Sequence, residues 1–150
     1  MLKVLLIGSH GYLGSFITKY SKDYPYEFTF TGRSAENLFN SPNYLVCDLL
    51  DPNSLATCLD KSNPDIIINC AAQALPDDAE KDKDYAYNAN VTTTRNLVKE
   101  CSRRKIKLIH LSTDYVFSGE KGNYKEMDET GPINHYGKTK LEAEQIIIGS

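Results

Sequence analysis

Val4-Leu5-Leu6-Ile7 is an uninterrupted apolar run that ends in Gly8-Ser9-His10-Gly11-Tyr12-Leu13-Gly14, and this stretch restricts the chain to few architectures. A strand that is apolar on consecutive residues needs cover on both faces. A helix follows it, with Leu13, Phe16, Ile17 and Tyr20 at helical spacing. The same alternation continues down the chain. Residues 27–31, closed by Gly32, and residues 44–47, 66–68 and 106–111 read as further strands. Asp51-Pro52-Asn53-Ser54 reads as an N-cap with proline in the first turn, opening a helix to about Leu59. A long helix is expected over about residues 85–103, with Val91, Leu97, Val98 and Cys101 inward, and a last one over 136–148. Strands alternating with helices predict an α/β fold, a doubly wound parallel sheet with right-handed crossovers, truncated after about five strands. Residues 118–133, rich in glycine and charge, are expected to be a surface loop.

The 150 residues fit one domain, and 41% hydrophobic with 25% charged residues is ordinary for a globular chain. The net charge of -3 and the shortness of the one basic run, Arg103-Arg104-Lys105, speak against a nucleic-acid partner. No run approaches the ~18 apolar residues of a membrane span, and the start is too short for a signal peptide. The four cysteines, Cys47, Cys58, Cys70 and Cys101, are scattered without metal-ligand spacing, so no metal is expected and reduced thiols in the cytoplasm are.

The turn after the first strand is where such a sheet binds phosphate, and the Rossmann-type halves of this architecture hold dinucleotides there. Glycines let the backbone approach a pyrophosphate, and the helix start adds free N–H groups and positive potential. The spacing is Gly-x-x-Gly-x-x-Gly, with Gly8, His10, Gly11, Tyr12, Leu13 and Gly14 as candidate cofactor residues. Roughly 20 residues on, an acid would hold the 2′-hydroxyl of NAD. This chain has Arg33-Ser34 instead, which suits a 2′-phosphate, so NADP(H) is favoured, with NAD(H) as the alternative. Asp48, followed by Leu49, either accepts from the adenine amino group or caps the next loop. Ala71 and Ala72, after the fourth strand, are small, as a ligand-approached edge requires.

Tyr136-Gly137-Lys138-Thr139-Lys140 places a phenol and an ammonium on one helical face. Free tyrosine, with a pKa of about 10, is a poor base at neutral pH. A cation at ~4 Å with an effective dielectric near ~20 offers at most ~4 kcal/mol, about three pKa units at ~1.36 kcal/mol each. Tyr136 would then exchange a proton with a substrate oxygen near neutral pH. A third group belongs at the carboxyl edge of the fifth strand, where Leu111-Ser112-Thr113-Asp114 lies.

With these residues the chain resembles the extended short-chain dehydrogenase/reductase family, and within it the dTDP-4-dehydrorhamnose reductase group. The matching pieces are Gly8 to Gly14, Ile68-Asn69-Cys70-Ala71-Ala72, Asp77 to Glu80, Asn90-Val91 with Thr94-Arg95-Asn96-Leu97, the string from His110 to Gly119, and the string from Tyr136 to Glu144. The resemblance implies Thr113, Tyr136 and Lys140 as catalytic, with Ser112 beside them. Asn90, Tyr136 and Lys140 join the cofactor set, Lys140 on the nicotinamide ribose hydroxyls. The implied reaction is reduction of a nucleotide-linked 4-keto-6-deoxysugar: a hydride goes to C4 and the tyrosine protonates the oxygen. Sugar-nucleotide 4,6-dehydratases carry Asp-Glu after the threonine; here the pair is Asp114-Tyr115, which argues against elimination of water. Epimerases are harder to separate.

Family members run to roughly twice this length. The chain is therefore expected to be an N-terminal fragment that lacks the C-terminal substrate-binding region, leaves its fifth strand as an edge, binds cofactor weakly and turns over little alone. A homo-dimer is a further expectation. The alternative function is a non-catalytic NAD(P)-binding module, as in the methionine adenosyltransferase regulatory subunits that resemble the same reductases.

Overall fold

The computed structural model describes all of residues 1–150. The chain divides into two compact units, one of Met1–Ala71 with Asn96–Leu111, the other of Ala72–Arg95 with Ser112–Ser150.

The first unit holds the whole sheet. Strands β1 (Lys3–Ile7), β2 (Glu27–Gly32), β3 (Tyr44–Val46), β4 (Ile66–Asn69) and β5 (Lys107–His110) are all parallel, in the order β3-β2-β1-β4-β5. The reversal of direction away from β1 is the mark of a doubly wound sheet, as the alternation of apolar runs and helices implies. β1 is central, with Val4 through Ile7 all buried. Its Leu5 and Ile7 pack with Ile67 of β4, with Leu55, Cys58 and Leu59 of α2 (Pro52–Ser62), and with Leu97 and Cys101 of α5 (Thr93–Arg104). Asp51 caps α2 by accepting from the Asn53 N–H at 2.9 Å, and Pro52 stands at its first position. Arg104, in the last turn of α5, reaches both Glu100 of its own helix and Asp60 of α2. The two guanidinium groups of Arg103 and Arg104 hold the Glu100 carboxyl below the usual carboxylate range.

The opposite face is open. α1 (Tyr12–Tyr20) turns Gly14 and Thr18 inward and leaves Leu13, Phe16 and Tyr20 exposed. Its apolar stripe is not a closed core contact, as the helical spacing suggests. Phe16, Ile17 and Tyr20 instead border an open apolar cavity of about 550 Å³, floored by Val4, Ile66, Ile68 and Ile109. β5 has a strand neighbour on one edge only.

In the second unit, α3 (Pro76–Lys81), α4 (Lys83–Tyr87), a π-helical turn (Asn88–Thr92) and the start of α5 pack with α6 (His135–Ile148). The long helix expected over 85–103 is present as continuous helical backbone from α4 through a π-helical turn into α5. Within it Thr93 Oγ1 donates to the Ala89 carbonyl at 2.6 Å and Thr94 Oγ1 to the Asn90 carbonyl at 2.7 Å. The helix α3 lay unread in the sequence, although Pro76 at its first position, Asp77 and Asp78 in its first turn and Lys81 in its last are ordinary helix signals. Residues 118–133 contain no helix or strand.

No helix is long and apolar enough to cross a membrane, no group of side chains could hold a metal ion, and none of the four cysteines is in a disulfide. Burial, with help from Glu100, pushes the Cys101 thiol up to about 11.

Leu97→Ala, which empties a fully buried site, is expected to lower unfolding free energy by ~2–5 kcal/mol in a urea titration. The Glu100 ion pairs add stability at pH values above the carboxyl's unfolded pKa, and that share is lost as pH falls through the lower folded value. Glu100→Gln is expected to flatten the acid limb of a stability–pH curve measured by thermal melts.

Candidate functional site: a dinucleotide cradle and a buried Tyr–Lys pair

In the first unit the loop after β1 is drawn onto the neighbouring strands. The Gly8 and Ser9 N–H groups and the Ser9 hydroxyl all donate to the Thr31 carbonyl at the end of β2. Gly8 has φ +79°, and a Cβ there would meet the Ala71 nitrogen at 2.8 Å. A Cβ on Gly14 would stand 2.1 Å from the Gly8 carbonyl oxygen, so α1 can start here only through glycine. α1 opens at Gly11 with no side chain capping it. Its first N–H groups therefore lack intrahelical partners and face the loop's own concavity. His10 contributes a further unpartnered polar atom, its buried Nε2. Closely approached backbone, uncapped N–H groups and an orphaned nitrogen fit an anionic pyrophosphate.

The other expected cofactor residues of this unit fall as follows. Tyr12 and Leu13 are exposed on the first turn of α1. Arg33 and Ser34 are exposed directly after β2. Asp48 Oδ1 accepts from the Leu50 N–H at 2.9 Å, so this carboxylate does cap its loop. The Leu49 side chain is buried in the core and its carbonyl accepts from Asn96 Nδ2 at 2.9 Å. Ala71 is half-buried, and its N–H donates to Asn69 Oδ1 at 3.1 Å. Asn69, nearly fully buried, also bonds His110 Nδ1 at 3.1 Å, joining the carboxyl ends of β4 and β5.

In the second unit Tyr136 and Lys140 lie one turn apart on α6, with 8% and 2% exposure. Asn134 caps α6 by accepting from the Gly137 N–H at 2.7 Å. Glu80 of α3 accepts from the His135 N–H at 2.6 Å, a bond that, with Lys83 beside it, holds the Glu80 carboxyl below its usual range. The start of α6 therefore cannot swing. Gly137 is required because a Cβ would stand 2.2 Å from the Tyr115 carbonyl oxygen. That contact seats the short 3₁₀ turn Asp114–Val116 on α6 and brings the Tyr115 ring edge-on to Tyr136, with centroids 5.6 Å apart. Thr113 stands at the start of the same turn. Its Oγ1 accepts from the Tyr115 N–H and donates to Asp114 Oδ1, both at 3.3 Å. Ser112 donates its hydroxyl to Glu144, also on α6. Ala72 is exposed at the start of this unit.

Asn90 has all its polar atoms engaged. Its Oδ1 accepts from the Gln73 N–H at 2.8 Å, and its Nδ2 donates to the Gln73 carbonyl at 3.1 Å and to Thr139 Oγ1 at 2.9 Å. Thr139 donates in turn to the Tyr136 carbonyl at 2.8 Å. Glu80, Asn134 and Thr139 are the site-building residues that sequence reasoning missed. Only the Asn134 cap, three residues before Gly137, has a local signature.

A glycine-lined loop at the carboxyl edge of a doubly wound parallel sheet is the architecture in which dinucleotides are bound. The family model of the RmlD substrate binding domain matches residues 2–150, and the chain belongs to that family. It is 36% identical over 141 residues to a probable low-salt glycan biosynthesis reductase, Agl14, of Haloferax volcanii, covering 93% of this chain and 47% of that protein. It is also 36% identical over 146 residues to methionine adenosyltransferase 2 subunit beta of Danio rerio, covering 97% of this chain and 43% of the relative. Among solved structures it is similar to dTDP-4-dehydrorhamnose reductase of Bacillus anthracis in complex with NADP, with TM-score 0.85, 29% identity, 99% of this chain and 50% of that one. A UDP-glucose 4-epimerase of Brucella ovis in complex with NAD gives TM-score 0.90 at 25% identity, over 99% of this chain and 47% of the epimerase. The chain thus spans about half the length of the relatives it matches, and its kinship is with proteins that bind a nicotinamide dinucleotide.

Gly14→Ala drives a methyl into the Gly8 carbonyl and is expected to abolish quenching or enhancement of NADPH fluorescence on titration, and to lower the melting temperature. The exposed Gly122→Ala, with open space around it, is expected to change neither.

Proposed function

We propose that this chain is the cofactor- and proton-handling part of an NADP(H)-dependent reductase of a nucleotide-linked 4-keto-6-deoxysugar, serving cell-surface polysaccharide synthesis. The observation that carries the reading is the buried Tyr136–Lys140 pair on a helix start immobilised by Asn134, Glu80 and Gly137. The reduced nicotinamide supplies two electrons and one hydrogen to the carbonyl carbon. Tyr136 supplies the proton: its O–H bond breaks and the proton passes to the carbonyl oxygen as the C=O becomes a C–O–H. The Lys140 ammonium stabilises the phenolate left behind, which is why it is retained in a buried place despite its desolvation. Thr113 offers its hydroxyl to the same oxygen. Its two contacts of 3.3 Å lie at the weak end for a hydroxyl, so a substrate oxygen displaces them at little cost. In the first unit the Gly8–Gly14 cradle holds the pyrophosphate, and Arg33 with Ser34 recognises a 2′-phosphate, which favours NADP(H) over NAD(H). Asn90 acts through Thr139 on the Tyr136 backbone and is a positioning residue.

The relatives named methionine adenosyltransferase 2 subunit beta favour a second reading, a dinucleotide-binding regulatory module. One variant separates the two. With a dTDP-linked 4-keto-6-deoxysugar and NADPH, Tyr136→Phe is expected to lower kcat by ~10²–10⁴ with NADPH affinity unchanged, the usual share of a general acid. If the full-length protein binds NADPH but shows no turnover for Tyr136→Phe to remove, it is the regulatory module.

A further inference from the structure

We infer that Tyr44 is a positioning residue for dinucleotide selectivity: its hydroxyl, clamped under the His10 ring, holds the Arg33–Ser34 turn in the shape that receives a 2′-phosphate. The inference rests on the NADP(H) reading above.

Arg33 and Ser34 sit on an exposed segment beyond the end of β2. An exposed arginine discriminates a phosphate well only if the backbone that carries it is already ordered, because ordering it on binding subtracts from affinity. What orders this segment is a phenol from the next strand. Tyr44, the first residue of β3, pairs with Phe30 of β2. Its Oη donates to the Ser34 carbonyl at 2.7 Å. To get there the phenol crosses Gly32, and a Cβ on that residue would stand 2.6 Å from Oη. Gly32, one residue before Arg33, is therefore the gap that lets Tyr44 reach the turn.

The phenol is held from the other side by the pyrophosphate loop. The His10 ring stacks on Tyr44 with centroids 5.1 Å apart and planes 5° from parallel, and Phe39 closes on His10 at 6.2 Å. In this pose the buried His10 Nε2 has no partner within the protein. Burial pushes the Tyr44 phenol up, which keeps it a neutral O–H donor to the carbonyl. One aromatic stack thus joins two backbone segments of the first unit, the one that meets the pyrophosphate and the one that meets the ribose. The Arg33 guanidinium is presented on a braced turn.

The test uses 2′,5′-ADP and 5′-AMP as probes, which differ only in the 2′-phosphate, with calorimetric affinities on the 150-residue chain. Tyr44→Phe keeps the stack and removes only the hydroxyl. It is expected to weaken 2′,5′-ADP by about three- to ten-fold, the fold-change of one lost neutral hydrogen bond, and to leave 5′-AMP within about two-fold. Gly32→Ala, which expels the phenol from the gap, is expected to shift the ratio in the same direction. Equal weakening of both probes by Tyr44→Phe, or no change in either, overturns the inference. Arg33→Ala tests the underlying reading separately. If Arg33→Ala leaves the ratio unchanged, the 2′-phosphate reading itself is wrong. If it collapses the ratio while Tyr44→Phe and Gly32→Ala do not, that reading stands and the role given to Tyr44 falls.

Discussion

The close approach of backbone to backbone at Gly8 is the constraint on which the first unit depends. Three segments meet there: the end of β1, the start of α1 through Gly14, and the exit from β4 through Ala71. Neither Gly8 nor Gly14 could bear a side chain at the contact. Because β1 is hydrogen-bonded to β2 on one side and β4 on the other, this one point fixes where both neighbouring strands end. It also leaves a concave run of uncapped N–H groups at the carboxyl edge of the sheet. The fold and the shape of this loop are therefore one geometric solution, and a change at Gly14 is a change to both.

The second unit solves a different problem, holding an ionisable pair out of water. A phenol and an ammonium at the start of a helix would ordinarily be mobile, since helix ends fray. Here the end is locked from three directions. Asn134 caps it, Glu80 takes the His135 N–H, and Asn90 reaches Thr139 from the π-helical turn. The π turn matters because it places Asn90, which is almost fully buried, between Gln73 and α6. A regular helix through residues 88–92 would rotate that amide away from one or other partner. An irregular backbone next to a reactive group is a common use of this motif.

Much of this was legible beforehand. The β1 run, the Gly8–Gly14 turn, the Asp51-Pro52 cap and the tyrosine–lysine spacing are local signals, each decided by residues within a turn or two of one another. They yielded the parallel doubly wound sheet and the family. Other features were out of reach. The stripe Leu13, Phe16, Ile17 and Tyr20 has the spacing of a buried face, yet three of these residues are exposed, because burial depends on whether another element crosses the same sheet face. The Leu49 side chain, in the candidate cofactor set, is buried in the core. Asp48 had two readings, and the loop-capping bond to Leu50 is the one observed.

Sequence alone therefore determined the order and kind of the elements, and the placing of Tyr136 and Lys140 on one helix. Those follow from backbone sterics and from spacings of three or four residues. Tertiary structure decided which glycines are obligatory, where the long helix turns from α to π, and what holds the start of α6. Asn90 and Thr139 are 49 positions apart, and Glu80 and His135 are 55 apart. No local pattern encodes such a contact, because it exists only once the chain has closed a long loop at an entropic cost that the packed elements together offset.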